Sequence, residues 1–235
     1  MSDSIVTRHG RLILVPAVIT LAVTLLRLVG ELQQWSSALF NREAGGGMAI
    51  VGIVWLVPVF GIYFALKLAR EGKGPGKVGR AFGLVLLALV VMPVVGVAAG
   101  AAGVDPNSTS LLLLFAAASI AATFVALRGW PELGRVLLAY GLAARVPVAI
   151  VMLIAIFGNW GTHYDVPPSP EFPQMAPLAK WFWIGLLPQV TIWVAFTIIV
   201  GMLFGLLAVS TVHRSRGSIH RADRAKEVKA RAQSK

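Results

Sequence analysis

The chain has no cysteine, which excludes disulfides, thiolate catalysis and cysteine-ligated metal sites. Charge is scarce as well. Only 13% of residues are Asp, Glu, Lys or Arg, against about a quarter in soluble domains. Acids are rarer than bases, 10 against 21, and none falls in the middle of an apolar run. That scarcity argues against a proton- or sodium-coupled pump, which uses intramembrane acids. The sequence also lacks H-E-x-x-H, G-x-S-x-G and paired intramembrane aspartates, so nothing points to an enzyme. The turn EGKGPGK resembles a phosphate loop only superficially. Glu71 stands where a Walker loop needs its first glycine, and Val78 follows Lys77 where Ser or Thr is required. No cofactor and no metal is expected. His163 and Asp165 are too few for zinc, which takes three or four protein ligands. The other histidines, His9, His213 and His220, are predicted on the opposite side.

What is present is apolar sequence. Hydrophobic residues make up 57% of the chain, and the mean hydropathy is +0.78. A membrane span needs about 20 apolar residues, and six such runs are predicted as helices, over 11–31, 48–68, 81–103, 111–127, 136–157 and 181–212. The fold class is therefore all-α: a polytopic membrane protein with a single bundle of six transmembrane helices over 1–212 and a basic cytoplasmic tail over 213–235. The last run is longer than one span. It either tilts or starts in the interface, where Trp181 and Trp183 suit an aromatic belt.

The net charge of +11 would suggest nucleic acid in a soluble domain. Here the bases mark helix ends, so no nucleic-acid partner is expected. With the N-terminus inside and six spans, seventeen of the 21 Lys and Arg fall on the cytoplasmic side; Arg42 and Lys180 fall outside, and Arg27 and Arg145 lie within spans. This positive-inside bias predicts an inner (cytoplasmic) membrane protein of bacterial type, multi-pass, with both termini in the cytoplasm. The bilayer is the first partner, with anionic lipids at the basic face, where each nearby Lys or Arg contributes about 1 kcal/mol.

The stretch 140–173 carries the residues whose cost demands a reason. Arg145 lies about 13 Å into the hydrocarbon if its helix starts at Val136, and an arginine there costs roughly 2.5 to 3.5 kcal/mol. No acid lies at that depth. Gln189, Tyr140 and the carbonyls released by Pro147 and Pro188 are the expected partners, so Arg145, Gln189 and Tyr140 form a candidate polar centre. Arg27 and Glu31, one turn apart, read as an ion pair at the outer edge. His163, Tyr164 and Asp165 lie in a proline-rich outer loop that reads as a docking surface or lid. Gly96 with Gly100 and Gly201 with Gly205 form G-x-x-x-G pairs that let helices approach closely.

Two function classes fit. One is a structural or accessory membrane subunit, associating with another membrane protein or with its own copies through glycine faces and outer loops. The other is a small-solute transporter or permeation protein using the centre around Arg145 and Gln189. A cavity reaching Arg145 separates them: a carrier has one, and a packing subunit has a closed centre. The topology has its own test. Cysteines introduced by Ser37→Cys, Asn107→Cys and Ser169→Cys are expected to react with impermeant reagents in intact cells, and those from Gly74→Cys and Ser218→Cys are not. Outside labelling of Gly74→Cys would overturn the assigned orientation.

Overall fold

The computed structural model describes residues 2–47 and 49–233, with side chains over 12–47 and 49–212. Six long elements pack as one all-helical bundle: α1 (Ser2–Leu32), α2 (Leu56–Arg70), α3 (Val78–Ala101), α4 (Thr109–Leu127), α5 (Pro131–Gly158) and a last span, Pro177–Val212, that is broken into pieces. Those pieces are α6 (Pro177–Lys180), a π-helical segment (Trp181–Leu186), α7 (Leu187–Val190) and α8 (Ile192–Gln233). Five of the six are long and apolar enough to cross a membrane. The exception is α2, with 15 residues.

The second helix was expected over 48–68 with Pro58 at its centre. Instead residues 49–55 are irregular, and α2 begins at Leu56. Pro58 thus lies in the first turn, where its missing N–H would have had no intrahelical partner anyway. At 1.5 Å per residue α2 spans about 22 Å, short of a hydrocarbon core about 30 Å thick. The chain before it is irregular. Its amides find partners on the neighbouring loop, Ile50 N–H donating to Ala38 O (3.2 Å) and Val51 N–H to Leu39 O (3.1 Å). Non-helical backbone at membrane depth is tolerated only where protein or a cavity covers it.

The last helix departs from expectation for a related reason. Pro188 cannot donate to the carbonyl four residues back, and its ring crowds that carbonyl. The chain widens into the π segment just before it, returns to α-helix in the short α7 and continues as α8 after Thr191. Trp181 Nε1 donates to Ala149 O of α5 at 2.8 Å, which fixes the widened turn against its neighbour. α5 starts five residues earlier than expected, because Pro131 provides a ready first turn. α8 continues without interruption into the basic tail.

The core lies between α2, α5 and α8. Phe60, Phe64 and Tyr140 form an aromatic group, with Tyr140 edge-on to both phenylalanines at centroid distances of 5.4 Å. Trp130 is buried and donates through Nε1 to Lys73 O at 2.8 Å, which pins the basic connector between α2 and α3. The closest helix approach is α2 on α8. A Cβ on Gly61 would collide with the Gly201 backbone, and one on Gly205 would lie 2.7 Å from Ala65 Cβ and 3.0 Å from Gly61 O. The partner of the Gly201 and Gly205 face is therefore Gly61 with Ala65, a small-x-x-x-small pair absent from the sequence reading. A Cβ on Gly96 would meet Phe115 of α4 at an ordinary 3.6 Å. Gly100 faces away from the bundle, with no described atom within 4 Å of its would-be Cβ. It lies one turn nearer the end of α3, beyond the reach of Phe115, and makes no close helix contact within this chain.

This geometry predicts a contrast. Gly61→Leu and Gly201→Leu should each force α2 and α8 apart and destabilise by at least about 1–3 kcal/mol, the usual range for overpacking. Gly100→Leu should leave the melting temperature of detergent-solubilised monomer unchanged. Equal melting curves for Gly61→Leu and the wild type would show that α2 and α8 do not meet at their glycines.

Candidate functional site

The site starts from a polar stripe on α1. Thr20, Thr24, Arg27 and Glu31 are spaced by four, three and four residues, so they share one helix face. Most of the rest of that span faces outward. The stripe, with Leu12, Ile13, Val23 and Leu28, holds α1 to the bundle. Thr20 Oγ1 donates to Pro16 O at 2.8 Å and lies 2.8 Å from the Tyr140 hydroxyl of α5. One turn on, the Tyr164 hydroxyl donates to Thr24 O at 3.3 Å.

Arg27 and Glu31 form the expected pair, Nε to Oε1 at 2.8 Å. It is more than a helix-end salt bridge. Glu31 is fully buried, and the pair joins three chain segments. Arg27 Nη2 donates to Asn41 O (3.1 Å) and Gly46 O (2.8 Å) on the first long loop. Glu31 Oε2 accepts from the His163 amide at 2.9 Å on the second. His163 Nδ1 lies 2.5 Å from Glu31 Oε1, a separation favourable only with a proton between them. The glycine run 45–47, read from sequence as a flexible loop end, is an ordered cradle. Gly46 has φ +79°, and a Cβ there would strike the Arg27 guanidinium.

The adjacent residues His163, Tyr164 and Asp165 have separate tasks. His163 joins Glu31. Tyr164 is buried against α1, and burial pushes its phenol pKa up, so it stays protonated. Asp165 turns back on its own loop, accepting from Gly161 N (2.8 Å), Thr162 N (2.7 Å) and Thr162 Oγ1 (2.7 Å). With its oxygens so engaged, it adds no ligand beside His163. Among the described residues no three metal-binding side chains come together.

Arg145 lies midway along α5, roughly 20 Å by helical rise from either end. It is 4% exposed. The Trp193 ring of α8 packs on its guanidinium, with Cζ 4.7 Å from the ring centroid, a cation–π contact that strengthens when desolvated. Its Nε and Nη2 have no hydrogen-bond partner among the described residues. Gln189 is 7% exposed. Its Nε2 lies 3.7 Å from Met152 Sδ, and its Oε1 has no partner among the described residues. The sequence reading placed Arg145 and Gln189 in direct contact. The two instead line one cavity without bonding each other. Tyr140, the third member of the expected centre, directs its hydroxyl to Thr20.

The cavity has a volume of about 280 Å³ and runs from the loop end to the middle of the bundle. Thr24, Arg27, His163 and Tyr164 line it near the loops, and Arg145, Gln189 and Trp193 at depth. Ile53 and Val54 of the irregular stretch form part of its wall, which is the setting in which broken backbone is tolerated. None of the described lining residues is acidic. Since Glu31 neutralises Arg27, the charge of Arg145 stands alone. Trp193 escaped the sequence reading because nothing in its spacing marks it as the partner of a residue on another helix. Thr20 and Thr24 could have been found from their register with Arg27 and Glu31.

The same geometry gives a pH dependence. Burial holds the His163 pKa below its ordinary value of 6.5, outweighing the Glu31 hydrogen bond that raises it. A neutral imidazole keeps Nδ1 beside Glu31 without placing a second cation next to Arg27. As pH falls through 6.5, the unfolded chain takes up the proton before the folded one. Stability contributed by the neutral ring is full above that value and declines below it, levelling off once the folded form is protonated. Melting temperatures in detergent between about pH 7.5 and pH 5.5, a window bracketing the histidine range, should fall more steeply for the wild type than for His163→Gln. Parallel curves would mean that His163 is not held neutral.

No protein-family model, curated protein or solved structure matches the chain, so the functional reading rests on the chemistry of the cavity itself.

Proposed function

We propose that this integral membrane protein is a carrier or permeation protein that binds a small anionic solute at Arg145. The observation that carries this reading is a nine-tenths-buried guanidinium with unpaired Nε and Nη2 at the base of a cavity. An uncompensated charge at that depth is expensive, and a buried polar group without partners costs about 1–3 kcal/mol or more when charged. An anionic solute in the cavity compensates that charge. An accessory subunit that served only to pack would have no use for such a cavity, so the transporter class is preferred to the subunit class.

The direction of access follows from charge. Lys67, Arg70, Lys73, Lys77 and Arg80 cluster around the α2–α3 connector, opposite the long loops. By the positive-inside rule that end faces the cytoplasm, where it also suits anionic lipid headgroups, and the cavity opens outward. The membrane is then the inner one, with both termini inside.

Because the chain has no cysteine, a single introduced thiol reports cleanly. Val148 lines the cavity and is 5% exposed. In intact cells Val148→Cys should react with small methanethiosulfonate reagents, faster with the sulfonated anion than with the trimethylammonium cation. Adding Arg145→Gln should abolish that preference. If neither reagent labels Val148→Cys, the cavity does not admit solutes and the subunit reading takes over.

A further inference from the structure

Resting on that reading, we infer that the ligand is a small organic monoanion with an apolar body, held by the charge of Arg145 and by the cavity wall rather than by a cradle of hydrogen bonds. Three features of the cavity carry this.

The first is what the polar lining is already doing. Arg145 Nε and Nη2 and Gln189 Oε1 are sealed from the cavity by their surroundings, and Trp193 covers the guanidinium face. Gln189 Nε2 turns to Met152 Sδ. Thr24 Oγ1 donates to Thr20 O, and the Tyr164 hydroxyl donates to Thr24 O. Arg27 directs Nε and Nη2 to Glu31, Asn41 and Gly46, and His163 turns Nδ1 to Glu31. The space therefore receives positive charge but is offered few free donors. Charge acts across several ångströms where the dielectric is low, whereas a hydrogen bond needs contact. A strongly hydrated anion would lose its water shell here and find few donors in exchange. An anion whose charge is spread over several atoms, and so weakly hydrated, loses less.

The second is the balance of charge. Glu31 matches Arg27, so the charge of Arg145 is what remains among the described lining residues. A monoanion balances it, and a dianion would bring a second negative charge into a desolvated site. The third is the wall. Ile53, Val54, Leu112, Val148, Met152 and Ile184 present apolar surface, which favours an apolar body over a purely ionic one. The cavity volume is about 280 Å³, just below the ~300–1,000 Å³ usual for small-molecule sites. It takes one ring or one short chain and is too small for a two-chain lipid.

The test uses the full chain in mild detergent and calorimetric titration, corrected against protein-free micelles. Four probes vary charge and apolar body separately: 4-methylbenzenesulfonate, methanesulfonate, methyl 4-methylphenyl sulfone and sulfate. The ring sulfonate should bind most tightly. Methanesulfonate keeps the charge without the ring and should bind at least about tenfold more weakly. The neutral sulfone keeps the ring without the charge and should also lose at least about tenfold. Sulfate should not bind. Arg145→Gln should bring the ring sulfonate down to the level of the sulfone and leave the sulfone unchanged, which shows that the variant still folds. In the wild type, methanesulfonate or sulfate binding as tightly as the ring sulfonate overturns the inference and leaves the anion cavity standing. The sulfone binding as tightly as the ring sulfonate also overturns it, because the charge would then go unfelt. These wild-type comparisons hold whatever the variant does. If no probe binds while Val148→Cys still prefers the anionic reagent, the ligand class is wrong and the anion cavity stands. If that preference is lost as well, both fall.

Discussion

Water cannot satisfy a polar group in the bilayer core, so every such group must find its partner within the chain. The Arg27–Glu31 pair is where this constraint shapes the molecule most. Neither side chain could be buried alone. Together they accept or donate to Asn41, Gly46 and His163, and so draw both long loops onto the end of α1. Removing one partner of a buried pair costs about 3–5 kcal/mol, because the other is left charged and unpaired. In this chain the cost would be structural too. The loops that roof the cavity are fixed to α1 through these two residues.

The broken segments follow from the same rule. Residues 49–55 are non-helical. Two of their amides bond the first loop, which Arg27 holds, and Ile53 and Val54 line the cavity. The π segment before Pro188 is the second break, and it lies directly beside Gln189. Both irregularities border the same cavity. A bundle of six regular helices would have closed this space with side chains. Proline placement and the glycines at 46 and 52, where a Cβ would crowd Arg27, keep it open.

Much of the architecture was legible in the sequence. Hydropathy marks six apolar runs, and lysine and arginine placement divides the ends. Arg145 stands out because an arginine in an apolar helix needs a reason, and Arg27 with Glu31 because a one-turn spacing forces them onto one face. Other features were hidden for physical reasons. Hydropathy is blind to backbone geometry, so the start of α2 was placed eight residues early. The G-x-x-x-G pattern found Gly201 and Gly205 but not Gly61 and Ala65, since alanine serves as the second small residue. The same pattern included Gly100, because sequence spacing does not say which face of α3 meets a neighbour. Trp193 depends on the rotation of α8, which is set by the break at Pro188 and not by any local signal.

The two intramembrane arginines make the functional argument sharper than either does alone. They share a residue type and both lie within apolar helices, so composition and hydropathy treat them alike. The fold does not. Arg27 bonds a carboxylate and two backbone carbonyls, and a glycine cradle is shaped around it. That is how this chain satisfies an arginine whose task is structural. Arg145 has an aromatic face but no carboxylate, and the amide nearest to hand is turned toward a methionine sulfur. A chain that can enclose one guanidinium so fully has the means to enclose another. Arg145 lines a cavity instead, with no carboxylate to match its charge.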